Sequence, residues 1–152
     1  MKIEELIKSS VKLSDSKKII LNILFSQNVI ADKFAELLKP YDLSQEQYNV
    51  LRILRGQKGC PANMCVIQER MIAKNSNTTR LIDKLLLKDF VTREVCPANR
   101  RKIEILITEK GLNLLKILDP LVINYEENFA NNLTKEELIT LNTLLEKYQK
   151  IN

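Results

Sequence analysis

Histidine is absent from the chain, and with it go the commonest general base and the commonest metal ligand. No Ser-His-Asp or Cys-His arrangement is available for nucleophilic catalysis. A zinc site would have to be assembled from Cys60, Cys65 and Cys96 with carboxylates, and no Cys-x-x-Cys spacing supports one. Glycine occurs only three times and proline four times, and neither a Walker loop nor a Gly-x-Gly-x-x-Gly run is present. These absences leave no catalytic, metal-binding or cofactor-binding residue to nominate, and they argue broadly against an enzyme. No apolar run approaches the roughly 20 residues that span a bilayer, and the N-terminal stretch shows no signal-peptide apolar core. The expected location is cytoplasmic, with the three cysteines reduced.

What is present is a helix-forming, moderately basic composition. The 152 residues are 45 % hydrophobic and 28 % charged, with a net charge of +5 and a pI near 9.1. That length suits one domain, 1–152, with a substantial core, and the positive balance favours an anionic partner. The most informative stretch runs from Asn75 to Phe90. Leu81, Ile82, Leu85 and Leu86 fall at helical spacing and form a buried stripe. Asn77, Arg80, Lys84 and Lys88 recur every three or four residues and form a second, basic stripe. The helix opens on small polar residues, with Ser76 placed to cap it and free backbone N–H groups left pointing outward. Such a helix is suited to phosphates and base edges in a major groove. The plainer alternative is an ordinary amphipathic helix whose solvated side happens to be basic.

The flanking elements decide between these readings. A short amphipathic lead-in, Met1 to Leu13, precedes a long helix expected from about Ser14–Ser16 to Lys39, where Pro40 stops it. Its expected buried positions are Ile19, Ile20, Ile23, Leu24, Ile30, Phe34, Leu37 and Leu38. Ser44 and Gln47 form a capping box that opens a helix through Leu54. Cys60–Asn63 reads as a loop, with Asn63 capping a short helix from about Met64 to Met71. The tight connection Ile72-Ala73-Lys74 then leads to the basic helix, and the pair matches a helix-turn-helix. After Phe90 the period changes to alternation: Val91, Arg93 and Val95 share one face, and Ile103, Ile105 and Ile107 share one on the return. Between them Asn99, Arg100, Arg101 and Lys102 make a turn-rich basic tip, which is a β-hairpin wing placed for a minor groove. Thr108 caps a helix expected to kink or break at Pro120, and Thr134 with Glu137 opens a terminal helix carrying Leu138, Leu141, Leu144, Leu145 and Tyr148 on one face.

The fold expected is therefore mainly α with a small β-hairpin wing: a winged helix-turn-helix lobe over 43–108, with N- and C-terminal dimerisation helices over 1–40 and 109–152. The end helices carry more apolar stripe than so small a lobe can cover. Pairing with a second copy explains the excess and sets two reading helices about 34 Å apart; folding back into a monomeric core is the alternative.

Three motifs in this order, Asn-Ser-Asn-Thr-Thr-Arg-Leu-Ile-Asp-Lys-Leu over 75–85, Asn99-Arg100-Arg101, and Leu-Ile-Thr-Glu-Lys-Gly over 106–111, resemble the MarR family of bacterial transcription regulators. The resemblance extends over nearly the whole chain. It implies a homodimeric, sequence-specific DNA-binding regulator, a repressor released from its operator by a small aromatic or anionic effector, with no cofactor. Carried over residue by residue, it implies DNA contacts from Asn75, Ser76, Asn77, Thr78, Arg80 and Lys84 on the reading helix, and from Arg100 or Arg101 at the wing. Asn99 stands where that family's wing usually begins with aspartate, so an amide replaces the carboxylate that would orient Arg101. Two alternatives remain: a thiol-based redox-sensing regulator of the same fold, using Cys60, Cys65 or Cys96, and a winged-helix module that binds protein without DNA.

Overall fold

The computed structural model describes residues 2–74, 76–95 and 103–150. Asn75, the wing tip with Asn99, Arg100 and Arg101, and Cys96 lie outside the described residues. Helix α1 (Ile3–Leu6) precedes α2 (Asp15–Leu38), which continues into a 3-10 turn, Lys39–Tyr41. Next come α3 (Gln45–Arg55), β1 (Ala62–Asn63), α4 (Met64–Arg70) and α5 (Thr78–Leu86). Strands β2 (Val91–Val95) and β3 (Ile103–Ile107) lead to α6 (Glu109–Ala130) and α7 (Lys135–Tyr148).

Local chemistry sets most of these boundaries. The hydroxyls of Ser14, Ser44, Thr108 and Thr134 and the amide oxygen of Asn63 each accept from a backbone N–H three residues on, satisfying donors that the first helical turn leaves free. Ser44 and Thr134 complete capping boxes with Gln47 and Glu137. Pro40 sits in the 3-10 turn that ends α2, and Asp42 follows it in the left-handed region at φ 51°. Of the kink or break expected at Pro120, the break does not occur: α6 continues through it as one helix.

The three strands form an antiparallel sheet in the order β1-β3-β2. Val91 pairs with Ile107 and Val95 with Ile103. Strand β1 is too short to show alternation in sequence and lies where a loop was expected; Ala62 pairs with Ile105 on the far side of β3. The sheet touches α6 closely at Gly111, where a Cβ would lie 2.5 Å from the Phe90 carbonyl oxygen and 2.8 Å from Ile107 Cγ1. Only glycine fits that approach.

The core joins the end of α2 (Leu38) to α3 (Leu51, Leu54), α4 (Ile67), α5 (Ile82, Leu85), β3 (Ile105) and the first half of α6 (Leu115, Leu118), all fully buried. A bidentate pair, Arg55 to Asp119 at 2.7 to 3.0 Å, ties α3 to α6. Along α2, however, only Phe34 and Leu38 are buried. Of the other positions expected to be buried, Ile19, Ile20, Ile23, Leu24 and Ile30 are exposed by 36 to 53 % in the single chain. Helix α7 has no buried residue, and Ile117, Leu121 and Ile123 of α6 are exposed as well. The stripes exist, but the described residues of one chain leave them largely uncovered.

Candidate nucleic-acid interface

Helix α5 is seated by its apolar face: Ile82 and Leu85 are fully buried, and Leu81 and Leu86 pack against the core from the side. Its cap is Asn77, one residue later than expected, with Oδ1 accepting from the Arg80 N–H at 3.1 Å. Ser76 instead closes the preceding turn, its hydroxyl donating to the Ala73 carbonyl at 2.6 Å. Thr78 is turned inward, 6 % exposed, and its hydroxyl donates to the Gln68 side chain.

The outward face of the first two turns therefore carries Asn77, Thr79, Arg80, Asp83 and Lys84, all exposed, with Ser76 half-buried beside them. Thr79 had no place among the sequence-derived contacts. Its signal was positional, since it adjoins Arg80 in a helical turn whose other hydroxyl, Thr78, faces the core. Two of the cations near this face are consumed within the chain. Lys88 lies beyond the end of α5 and pairs with Asp42 at 2.8 Å, and Arg93 of β2 pairs with Asp83 at 2.7 Å. Lys88 thereby holds the Asp42 carboxyl below the ordinary carboxylate range. Arg80 and Lys84 have no acidic partner within ion-pair distance among the described residues. They border an open groove of about 540 Å³ between the start of α3 and α5, with Ser44, Ser76 and Asn77 on its walls. Glu46 also lines it, accepting from the Ser44 hydroxyl at 2.8 Å.

The arrangement presents free cations, amides and a hydroxyl on one exposed face above an apolar seat, which fits an anionic groove and provides no nucleophile–base pair. Among the described residues, no three Cys, Asp or Glu side chains converge to hold a metal ion, and no helix is long and apolar enough to cross a membrane. Cys60 and Cys65 are free and exposed.

A second cavity, about 410 Å³, lies where α2, α3 and α6 meet the turn between α4 and α5. Its wall is aromatic: Phe34 meets Tyr48 edge-on at 5.3 Å and Tyr125 at 5.1 Å between ring centroids. Burial pushes both tyrosine hydroxyls above their ordinary pKa. Tyr125 donates to the Ile30 carbonyl at 2.8 Å, and the Arg52 guanidinium lies 5.8 Å from the Tyr48 ring. Met71 and Ile72 of the helix-turn-helix turn close the far side. Anything bound there touches the end helices and the reading unit together.

Comparison with known proteins places this geometry. The MarR family model matches residues 43–103. The regulator SarZ of Staphylococcus epidermidis is 27 % identical over 122 residues, 80 % of each chain. A MarR transcription factor of Planctomyces limnophilus is 30 % identical, with 90 % of this chain and 98 % of that one superposed at a TM-score of 0.66. Bordetella bronchiseptica BpsR, solved to explain regulation of its DNA binding by 6-hydroxynicotinic acid, shares the fold at a TM-score of 0.79 and 18 % identity, over 93 % of this chain and 100 % of that one. The chain belongs to the MarR family of winged-helix transcriptional regulators, whose members are not enzymes.

Proposed function

We propose that this protein is a homodimeric, sequence-specific DNA-binding repressor whose α5 enters the major groove. The observation that carries the reading is the outward face of α5, where Arg80 and Lys84 stand exposed with no ion pair among the described residues while neighbouring Lys88 and Arg93 are neutralised. Unpaired cations on a rigid helix release counterions when they meet phosphate. Ser76, Asn77, Thr79 and Arg80 supply base-edge or phosphate contacts at the start of the helix, with Asn75 preceding them and Arg100 or Arg101 reaching an adjacent minor groove. Thr78 supports that surface from behind.

Dimerisation rests on the exposed apolar stripes of α2, α6 and α7, because large apolar side chains gathered on one exposed face mark a protein–protein contact. Regulation rests on the aromatic cavity beneath the helix-turn-helix turn. A small aromatic or anionic compound held against Phe34, Tyr48 and Arg52 shifts the population toward dimers whose reading helices are wrongly spaced. The DNA binding of BpsR, which shares the fold, is regulated by 6-hydroxynicotinic acid, a compound of the aromatic, anionic class proposed here. Selection of bound duplexes from random DNA, followed by a salt titration, tests the proposal. It predicts one enriched motif with affinity falling steeply in salt; no enrichment, or salt-independent binding, refutes it.

A further inference from the structure

We propose that Gln68 is the positioning residue that fixes the pitch of α5 against α4, and so sets DNA specificity without touching DNA; this rests on the DNA-binding reading above. Gln47 and Thr78 are the buried polar side chains among the described residues. Gln47 is accounted for by its capping box. Thr78 sits in the first turn of the reading helix, and its buried hydroxyl needs a partner. Gln68 Oε1 accepts from that hydroxyl, while Gln68 Nε2 donates to the Lys74 carbonyl. The two arms determine each other. A carbonyl can only accept, so Nε2 must face Lys74 and Oε1 must face Thr78. One side chain of α4 thus grips both the turn and the helix that follows it.

The turn has no glycine to shape it, and other polar side chains complete the knot. Lys74 Nζ donates to the Glu69 carbonyl, and the Ser76 hydroxyl donates to the Ala73 carbonyl at 2.6 Å. Below the knot, Ile67 of α4 and Ile82 of α5 are fully buried. Apolar contacts hold the helices together but are non-directional; the amide supplies the direction. Geometry sets the stakes. A nine-residue helix is about 13 Å long, so a 10° swing about its far end moves the first turn by about 2 Å. That shift exceeds the tolerance of a hydrogen bond to a base edge, and Asn77, Thr79 and Arg80 all lie on that turn.

The test compares Gln68→Leu, Thr78→Val, the double variant and the conservative Gln68→Glu, which keeps the acceptor arm and loses the donor. The readout is the ratio of affinities for the selected duplex and a scrambled one at a single salt concentration, together with the salt slope. Each single variant is expected to lower the ratio about fivefold to tenfold, the worth of one neutral hydrogen bond, with the slope unchanged. The double variant should lose no more than the worse single one, because both remove the same tie. Gln68→Glu should retain more of the ratio than Gln68→Leu. Equal losses on both duplexes mark mere destabilisation and overturn the assignment, as do additive losses in the double variant. Hydrogen exchange without DNA reads the tie independently: the amides of Arg80–Ile82 should exchange about tenfold faster in Gln68→Leu, with those of Val50–Leu54 unchanged. If the native protein selects no duplex, the functional reading fails and exchange alone decides; unaltered exchange at Arg80–Ile82 overturns the tie.

Discussion

Two lysines four residues apart, Lys84 and Lys88, give the sharpest contrast that the structure makes. Both belong to the basic stripe read from the sequence, yet they meet different surroundings. Lys84 is exposed on the α5 face and lines the groove with Arg80. Lys88 is half-buried, donates to the Asp42 carbonyl and pairs with its carboxylate at 2.8 Å. A cation already matched inside the protein releases few counterions when DNA arrives. Each neutralised phosphate contributes about 0.9 to the slope of log affinity against log salt, so removing Lys84 from both protomers should lower that slope by about 1.8. Lys88→Ala should leave the slope within about 0.3 of the native value. Its effect should fall on the joint between α2 and α5, as a lower midpoint of thermal unfolding. Fluorescence anisotropy of a labelled duplex across a series from about 50 to 200 mM salt reads both variants. A Lys88→Ala slope reduced as much as that of Lys84→Ala would refute the reasoning, and so would an unchanged slope in Lys84→Ala.

Arg80→Ala should cost about 1–3 kcal/mol on the selected duplex and relax specificity at one base position if Arg80 reads a base edge; competition against single-base variants of the duplex checks this. Gly111→Ala forces a methyl group to 2.5 Å from the Phe90 carbonyl oxygen, and calorimetry should show a loss of roughly 1–3 kcal/mol. Leu24→Glu places a charge in the exposed α2 stripe and should shift the molar mass by light scattering from two chains to one, with loss of specific binding. No side chain of ordinary pKa titrates between pH 5.5 and 7.5 in a chain without histidine, so unfolding free energy by urea titration should be flat there. It should fall above about pH 10, because burial raises the Tyr48 and Tyr125 pKa values and ionisation then favours the unfolded chain.

The features legible in the sequence were those whose causes lie within a few residues of each other. The caps at Ser44, Asn63, Thr108 and Thr134 each bond a backbone N–H three residues on, and each was placed correctly. Alternation through Ile103, Ile105 and Ile107 gave β3, with Ile105 fully buried. What was not legible depends on distant partners. Strand β1 exists because Ala62 meets Ile105, and two residues carry no period. Lys88 looked free because Asp42, its partner, is 46 residues away in sequence. Thr78 and Thr79 are chemically alike, yet Thr78 stands four and seven residues before Ile82 and Leu85 and so shares the face they bury, a signal the sequence did carry. The apolar stripe of α2 was legible as a stripe, and its exposure in one chain fits the expected pairing with a second copy better than the alternative of a monomeric core.

That last point joins the dimer to DNA recognition, and a hydroxyl-radical footprint on the selected duplex tests both together. Two protected patches centred about 34 Å apart, one helical turn, are the expected result for twin reading helices on one face of the duplex. A single protected patch, or uniform weak protection along the whole duplex, would contradict the account.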